Sequence, residues 1–174
     1  MGLILKQIFG FIKLLNSDTG TISIAAGLTC GFILGMTPVL SLQSLLVFFI
    51  LFFFRIQIGA ALTAAFFFKF IAFLLDPIFD FAGRKVLEMH SLEGLFTTLY
   101  NMPIVPFTRF NNSIVMGSGV ITILLSPIVF IISKRLILQY REKVVARFKD
   151  TKVWKAVQAT KFYQWYYKYE QYKW

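Results

Sequence analysis

The sequence predicts an all-α integral membrane protein, and three observations lead to that class. The chain has 174 residues, of which 57% are hydrophobic and 21 are phenylalanine. This apolar share exceeds the roughly 45–50% of an ordinary soluble domain, so lipid is the expected solvent for much of the surface. Long apolar runs fill most of residues 1–133, and a basic aromatic tail follows them. Because a chain in lipid must satisfy its own backbone hydrogen bonds, we expect these runs to be helices.

Two regions are predicted. Residues 1–133 form a membrane domain that begins with an interfacial helix, too short to span, over Gly2–Leu15. Residues 134–174 form a cytoplasmic or interfacial amphipathic tail with eleven Lys or Arg, three acidic residues and many Trp and Tyr. Such a tail suits the surface of an anionic bilayer, and a docking surface for a protein partner is the alternative. No folded nucleic-acid module is visible, so we expect no nucleic-acid partner.

The membrane domain is organised around a short helical hairpin. Its arms are Thr21–Met36 and Ser41–Phe54, about 24 and 21 Å long as helices, against a hydrocarbon core of about 30 Å. Two arrangements remain open: a pair of thin or tilted spans, or a re-entrant hairpin that returns to its starting side. The turn backbone needs polar cover in lipid. We expect that cover from the side chains around the turn, namely Thr37, Ser41, Gln43 and Ser44, with Pro38 forming the break.

Three glycines follow one another at four-residue spacing in the first arm. Gly27, Gly31 and Gly35 therefore share one helix face. A face without side chains lets another backbone approach closely, which is a common way for helices to pack in membranes. We interpret the stripe as a helix-packing surface rather than as a ligand site.

Two longer apolar segments follow the hairpin. The first, Gln57–Leu75, is expected to end or kink at Asp76-Pro77, and the second, Ser113–Ser133, to kink at Ser126-Pro127 and stop at Lys134-Arg135. Between them we expect a polar segment. It comprises an i,i+4 series Asp76, Asp80, Arg84, a short helix Ser91–Tyr100 capped by Ser91, and an extended turn over Met102–Pro106.

The hairpin resembles a known bacterial family. The pattern of glycines at 27, 31 and 35, Pro38, Gln43-Ser44-Leu45-Leu46 and Arg55 is similar to the membrane proteins grouped as domain of unknown function 2062. The chain departs from that family at Arg55-Ile56-Gln57, where Arg-x-Asn is usual, and at Asp76-Pro77, where Asn-Pro is common. Three further segments resemble a smaller sister group of conserved hypothetical proteins: Leu15-Asn16-Ser17-Asp18, Leu75-Asp76-Pro77 and Pro106-Phe107-Thr108-Arg109-Phe110-Asn111-Asn112.

The resemblance implies a bacterial inner-membrane protein and brings no reaction with it. Sister-group members look like neighbours of a larger envelope protein, which implies a larger protein partner. Four apolar segments are few for a transporter, so self-association into a homo-oligomer is the other expectation. Combined with the unusual Lys69 inside an apolar segment, the motifs define a candidate intramembrane polar site. Its residues are Arg55, Lys69, Asp76, Arg109, Asn111 and Asn112. Lys69 has two interpretations: a site that includes Asp76, or a side chain that extends to the membrane surface and only anchors the helix.

Charge predicts the topology. Because positive residues mark the cytoplasmic side, the basic tail lies inside and residues 77–112 lie outside. A hairpin that returns to its starting side then places the N-terminus inside as well.

The sequence argues against an enzyme. It has one histidine, His90, and one cysteine, Cys30, and neither has partners at metal-ligand or triad spacing. We expect no catalytic residues, metal or cofactor. A broken helix pair, small residues and an intramembrane charge instead favour envelope transport or lipid handling. The alternative is a membrane-embedded accessory or scaffold subunit that handles no substrate.

Overall fold

The computed structural model describes residue 15, residues 19–54 and residues 56–145, with side chains to residue 143. This part of the chain is helical throughout and contains no strand. The predicted N-terminal helix, Arg55 and most of the basic tail lie outside the described residues. Described residues 19–145 contain five α-helices: α1 Thr21–Met36, α2 Leu42–Phe53, α3 Ile58–Leu87, α4 Glu93–Tyr100 and α5 Ser113–Tyr140. Shorter 3-10 helices cover His90–Leu92 and Val105–Thr108, and a π-helical turn covers Arg141–Val145.

Helices α1 and α2 form the predicted hairpin, but α1 packs mainly against α3 rather than against its hairpin partner. A Cβ added at Gly27 would lie 2.9 Å from Ala60 Cβ, at Gly31 2.6 Å from Ala64 Cβ, and at Gly35 2.6 Å from Phe68 Cβ. These contacts advance in the same direction along both chains, so α1 and α3 run parallel. The end of α1 consequently lies level with Lys69, partway along α3.

Helix α3 continues through Pro77, so of the two predicted outcomes, an end or a kink at Asp76-Pro77, the end is wrong. Proline removes one backbone donor but does not stop a helix whose far half is held by other packing. That packing is present here, because Phe79 is only 2% exposed and Gly83 lies against Ser113 of α5. Tertiary contacts therefore outweigh the local preference for a helix end.

A second close helix crossing joins α3 to α5. A Cβ at Gly83 would lie 2.8 Å from Gly117 N, and one at Gly117 would lie 2.7 Å from Gly83 N. Beside this crossing, Ser113 Oγ donates a hydrogen bond to Asp80, which also forms a 2.7 Å salt bridge with Arg84. Asp80 and Arg84 thus form the predicted i,i+4 pair, whereas Asp76 is not part of it.

The connection between α3 and α5 differs from the prediction in two places. Helix α4 starts at Glu93, and Leu92, not Ser91, is its N-cap residue, without a side-chain cap. Residues 90–92 instead wind into a 3-10 turn that leads into the helix. The segment predicted as an extended turn over 102–106 closes into a 3-10 helix from Val105, since Pro106 supplies a fixed φ suited to a first turn.

Helix α5 passes both Pro127 and Lys134-Arg135 and reaches Tyr140, so the predicted stop after Ser133 is wrong. Lysine and arginine are good helix formers, and a charged pair does not break backbone hydrogen bonding. In the part of the chain that the structure describes, two helices are long and apolar enough to cross a membrane: Ile58–Leu87, and Ser113–Lys143, which is α5 with the first residues of the π-helical turn. The chain divides into two compact units, Met1–Arg135 and Leu136–Trp174. The site described below belongs to the first unit.

Candidate functional site

A cleft of about 580 Å³ opens beside the hairpin turn, and we call it the turn cleft. Its walls come from the end of α1, the turn that follows, the middle of α3, the loop before α5 and the first residues of α5. The lining combines apolar side chains with two cationic, one acidic and one amide side chain. Its residues are Met36, Pro38, Val39, Leu40, Lys69, Ala72, Phe73, Asp76, Arg109, Asn112, Ile114 and Val115.

The hairpin turn is held by a buried hydroxyl network. Thr37, Ser41 and Ser44 are each at most 2% exposed. Ser41 caps α2, because its Oγ accepts a hydrogen bond from Ser44 N at 3.2 Å. Ser44 Oγ donates to Pro38 O at 2.9 Å, and Thr37 Oγ1 donates to Ile33 O at 2.8 Å. The turn's backbone is thus covered by its own side chains, which keeps its geometry fixed next to the cleft.

Lys69 completes this cover from α3. Its Nζ donates a hydrogen bond to Thr37 O at 3.2 Å. Thr37 is the C-cap of α1, where carbonyl groups lack helical partners and the helix dipole favours a positive charge. The sequence predicts that the Lys69 side chain either pairs with Asp76 or extends to the membrane surface. The ammonium group instead lies at the hairpin turn, on the wall of the cleft.

Asp76 lines the same cleft without a protein counterion. Within the described residues, it forms no salt bridge with Lys69 or Arg109 and no hydrogen bond. The Asp76 side chain is partly buried. It lies on α3, two helical turns beyond Lys69. This carboxylate is therefore available to a ligand that carries a hydrogen-bond donor or a positive charge.

Arg109 has an unusual backbone. It is the only described non-glycine residue with a positive φ, at 55°, in the left-handed helical region. This conformation costs an L-residue roughly 1–2 kcal/mol. The strain is held on both sides by hydrogen bonds, from Arg109 N to Pro106 O at 3.0 Å and from Asn112 N to Arg109 O at 2.9 Å. The exposed guanidinium group lies on the wall of the turn cleft.

The two neighbouring asparagines line different surfaces. Asn112 caps α5, since its Oδ1 accepts a hydrogen bond from Val115 N at 3.2 Å, and it lines the turn cleft. Asn111 lines a separate, shallower groove of about 410 Å³ with Glu93, Phe96, Tyr100 and Phe110. The side-chain oxygen of Asn112 is used by the cap, but the side-chain NH₂ group of Asn112 can still donate a hydrogen bond to a ligand.

The sequence predicts that Gln43 covers the backbone of the hairpin turn, but the structure places its side chain elsewhere. Its Nε2 donates to Val115 O at 3.3 Å, on α5, and Gly119 leaves the space that the side chain occupies. Its Oε1 is buried and has no hydrogen-bond partner among the described residues. Gln43 therefore joins α2 to α5, and the turn is covered by Thr37, Ser41, Ser44 and Lys69 instead.

The structure thus brings together four of the six predicted polar-site residues, namely Lys69, Asp76, Arg109 and Asn112. Asn111 faces elsewhere, and Arg55 lies outside the described residues. The glycine stripe faces α3 and does not line the cleft. Sequence reasoning missed the apolar walls, because residues such as Val39, Phe73 and Ile114 look like any other apolar residues of the chain. Among the described residues, no group of three His, Cys, Asp or Glu could hold a metal ion.

Comparison with known proteins gives a family. Residues 8–145 match the family described as "Uncharacterized protein conserved in bacteria" (DUF2062). An uncharacterised protein of Treponema pallidum (strain Nichols) is 26% identical over 113 residues, which cover 65% of this chain and 70% of that protein. No solved structure matches the chain.

Proposed function

Because the chain belongs to the bacterial DUF2062 family, whose description assigns no reaction, we propose a function from the turn cleft. The chain is a multi-pass inner-membrane protein that binds the phosphate headgroup of a membrane lipid in the turn cleft, as part of lipid handling or transport in the envelope. The observation that carries this proposal is the cleft's composition: a lysine, an arginine and an amide donor between apolar walls.

The surface of the molecule supports a membrane location. Large apolar side chains are exposed along α2, α3 and α5, for example Phe52 at 77%, Phe73 at 81% and Leu124 at 71%. Contiguous apolar surface of this extent is rare on soluble monomers. A lipid environment would cover it, and α3 and α5 are long enough to cross a bilayer.

The register of α1 on α3 supports the re-entrant arrangement of the hairpin. If α3 enters the membrane near Ile58, Lys69 lies about 16 Å deep, roughly half of the hydrocarbon thickness. The hairpin turn lies level with Lys69, so α2 returns from mid-depth. Non-helical backbone at such depth needs cover from protein or water, which the hydroxyl network and Lys69 supply.

The chemistry of the cleft favours a phosphate group. Arginine pairs with phosphate oxygens in a bidentate fashion, lysine supplies a point charge, and the Asn112 amide adds a neutral donor. The cleft volume of about 580 Å³ falls within the range of roughly 300–1,000 Å³ typical of small-molecule sites. Val39, Leu40 and Phe73 are strongly exposed at its mouth, where acyl chains would continue into the bilayer.

In the proposed orientation, the cleft faces the outer side. In the proposed topology both termini are cytoplasmic, so residues 77–112 and the N-terminal end of α5 lie outside. Arg109 and Asn112 would then approach a headgroup from the outer leaflet, while Lys69 reaches it from mid-depth. This orientation rests on the basic tail and on the positive-inside rule.

Native mass spectrometry of the detergent-purified protein tests the proposal. We expect one retained phospholipid per chain, and its loss in the double variant Lys69→Leu, Arg109→Gln. The control double variant Lys85→Gln, Arg135→Gln removes the same charge outside the cleft and should keep the lipid. Equal retention by both double variants would contradict a site in the turn cleft.

The accessory-subunit role makes a different prediction in the same preparation. A scaffold subunit would co-purify with a larger envelope protein at fixed stoichiometry and would carry no lipid that depends on Lys69 or Arg109. The exposed face of α2, with its stacked Phe49 and Phe53, is the surface that such a partner would cover.

A further inference from the structure

We infer that the headgroup bound in the turn cleft is zwitterionic and carries a primary ammonium beside its phosphate, as in phosphoethanolamine lipids. This inference rests on the proposed lipid function and names the class of ligand. It is carried by one feature that a phosphate alone does not explain: Asp76, a carboxylate that pairs with no described residue, shares the cleft with two cations.

The cationic and acidic groups of the cleft are separate from each other. Asp76 lies in the cleft with Lys69 and Arg109, yet no pair of these side chains comes within the 4.0 Å of a salt bridge. Lys69 is directed to Thr37 O instead. Lys69 and Asp76 are seven residues apart on α3, about 10 Å along the helix axis, so a ligand must carry two separate polar groups to contact both.

A phosphoethanolamine headgroup satisfies every group in this set. Its phosphate accepts hydrogen bonds from Arg109 and from the Asn112 amide, and interacts with the charge of Lys69. Its ammonium, two carbons from the phosphate oxygen, donates to the Asp76 carboxylate. A glycerol headgroup would leave Asp76 without a charged partner, and a trimethylammonium group has no N–H to donate.

Net charge alone predicts a different order. The two cations and one carboxylate sum to a positive cleft, which would attract an anionic phosphatidylglycerol more than a neutral phosphatidylethanolamine. Pairing of a lipid ammonium with Asp76 predicts instead that phosphatidylethanolamine binds more tightly than phosphatidylglycerol. The relative affinities of these two lipids therefore distinguish specific pairing from general attraction.

The experiment compares lipids of identical acyl chains by native mass spectrometry on the full chain in detergent. For the wild-type protein we expect about tenfold tighter binding of phosphatidylethanolamine than of phosphatidylglycerol or phosphatidylcholine, the size of one charge-assisted hydrogen bond. Asp76→Asn should remove this preference or reverse it toward phosphatidylglycerol. Glu88→Gln, an exposed carboxylate-to-amide change outside the cleft, should leave the preference unchanged.

The possible failures are distinguishable. If lipid binds through Arg109 but phosphatidylethanolamine has no advantage, or if Asp76→Asn keeps that advantage, the zwitterionic inference is wrong and the proposed function stands. If no lipid depends on Lys69 or Arg109, both fail. Soluble glycerophosphoethanolamine and inorganic phosphate should compete poorly at equal concentration, because they lack acyl chains for the apolar walls. Equally strong competition by either would overturn the assignment to a lipid.

Discussion

Arg109 combines a strained backbone with a side chain at the candidate site. Left-handed non-glycine residues persist only where the surrounding structure holds them, and they are frequent at functional sites. Here hydrogen bonds with Pro106 and Asn112 hold the conformation, and the guanidinium group lines the turn cleft. We interpret the strain as the cost of placing a cation at this position.

Replacing Arg109 by glycine separates strain from function. Arg109→Gly should raise the free energy of unfolding by about 1 kcal/mol, because glycine adopts a positive φ without steric cost. The same change removes the guanidinium group and should weaken lipid binding. Thermal unfolding in detergent, followed by the loss of helical circular dichroism, measures the first effect. A less stable Arg109→Gly protein would contradict the strain argument.

Lys69 stabilises the end of α1 and, in our proposal, also binds the lipid headgroup. Lys69→Leu should lower stability by about 1 kcal/mol, since Thr37 O loses a charged partner at the end of α1. Lys69→Arg keeps the charge and should retain much of the stability. Chemical or thermal unfolding of both variants tests this. A Lys69→Leu protein as stable as the wild type would mean that the contact with Thr37 contributes nothing.

At the scale of elements, the hairpin depends on close backbone contact. Gly31 faces Ala61 O and Ala64 so tightly that a single methyl group would be too close to both. Because one of these contacts is with a backbone atom, even alanine is disruptive at this position. Side chains can move aside, but the carbonyl of a packed helix can do so only by shifting the helix.

Gly31→Ala should therefore destabilise the protein by about 1–3 kcal/mol, and Gly31→Leu by more. Gly94 in α4 offers a matched control, since nothing lies within 4 Å of a Cβ added there. Gly94→Ala should stabilise by about 0.5–1 kcal/mol through helix propensity. The yield and melting temperature of each folded variant measure these changes in stability. Equal effects of alanine at both positions would refute the close packing of α1 on α3.

The bounds of α1 and α2 could be predicted from sequence because Thr37-Pro38 interrupts an otherwise unbroken apolar run. The continuation of α3 past Pro77 could not, since it depends on Gly83 meeting Gly117 from a distant part of the chain. The local sequence indicates where a helix can end, but tertiary packing decides whether it ends at a given proline. The partner of Lys69 was unpredictable for the same reason: a carbonyl acceptor leaves no mark in the sequence.

At the scale of the molecule, the candidate site is assembled from three helices, the hairpin turn and the loop before α5. Its charged members could be predicted because charges are rare in apolar segments, but their grouping required the parallel register of α1 and α3. That register also sets the depth of the hairpin turn in the proposed membrane orientation. Orientation itself rests on charge alone.

Single cysteines test the orientation in a variant without Cys30. A cysteine at Glu93 should react with an impermeant thiol reagent in intact spheroplasts, because residues 77–112 are proposed to lie outside. A cysteine at Lys168 should react only after lysis. Labelling of Lys168 before lysis would reverse the proposed topology and would move the cleft toward the cytoplasmic leaflet.

The most direct test of the central claim is the affinity of the purified protein for a short-chain phosphatidylethanolamine, measured with Arg109→Gln and Arg135→Gln side by side. Both variants lose one arginine charge, but only Arg109 lines the turn cleft. We predict at least about tenfold weaker binding for Arg109→Gln, the loss of one hydrogen bond to a charged group, and wild-type affinity for Arg135→Gln. Equal affinities for the two variants would contradict a lipid headgroup site in the turn cleft.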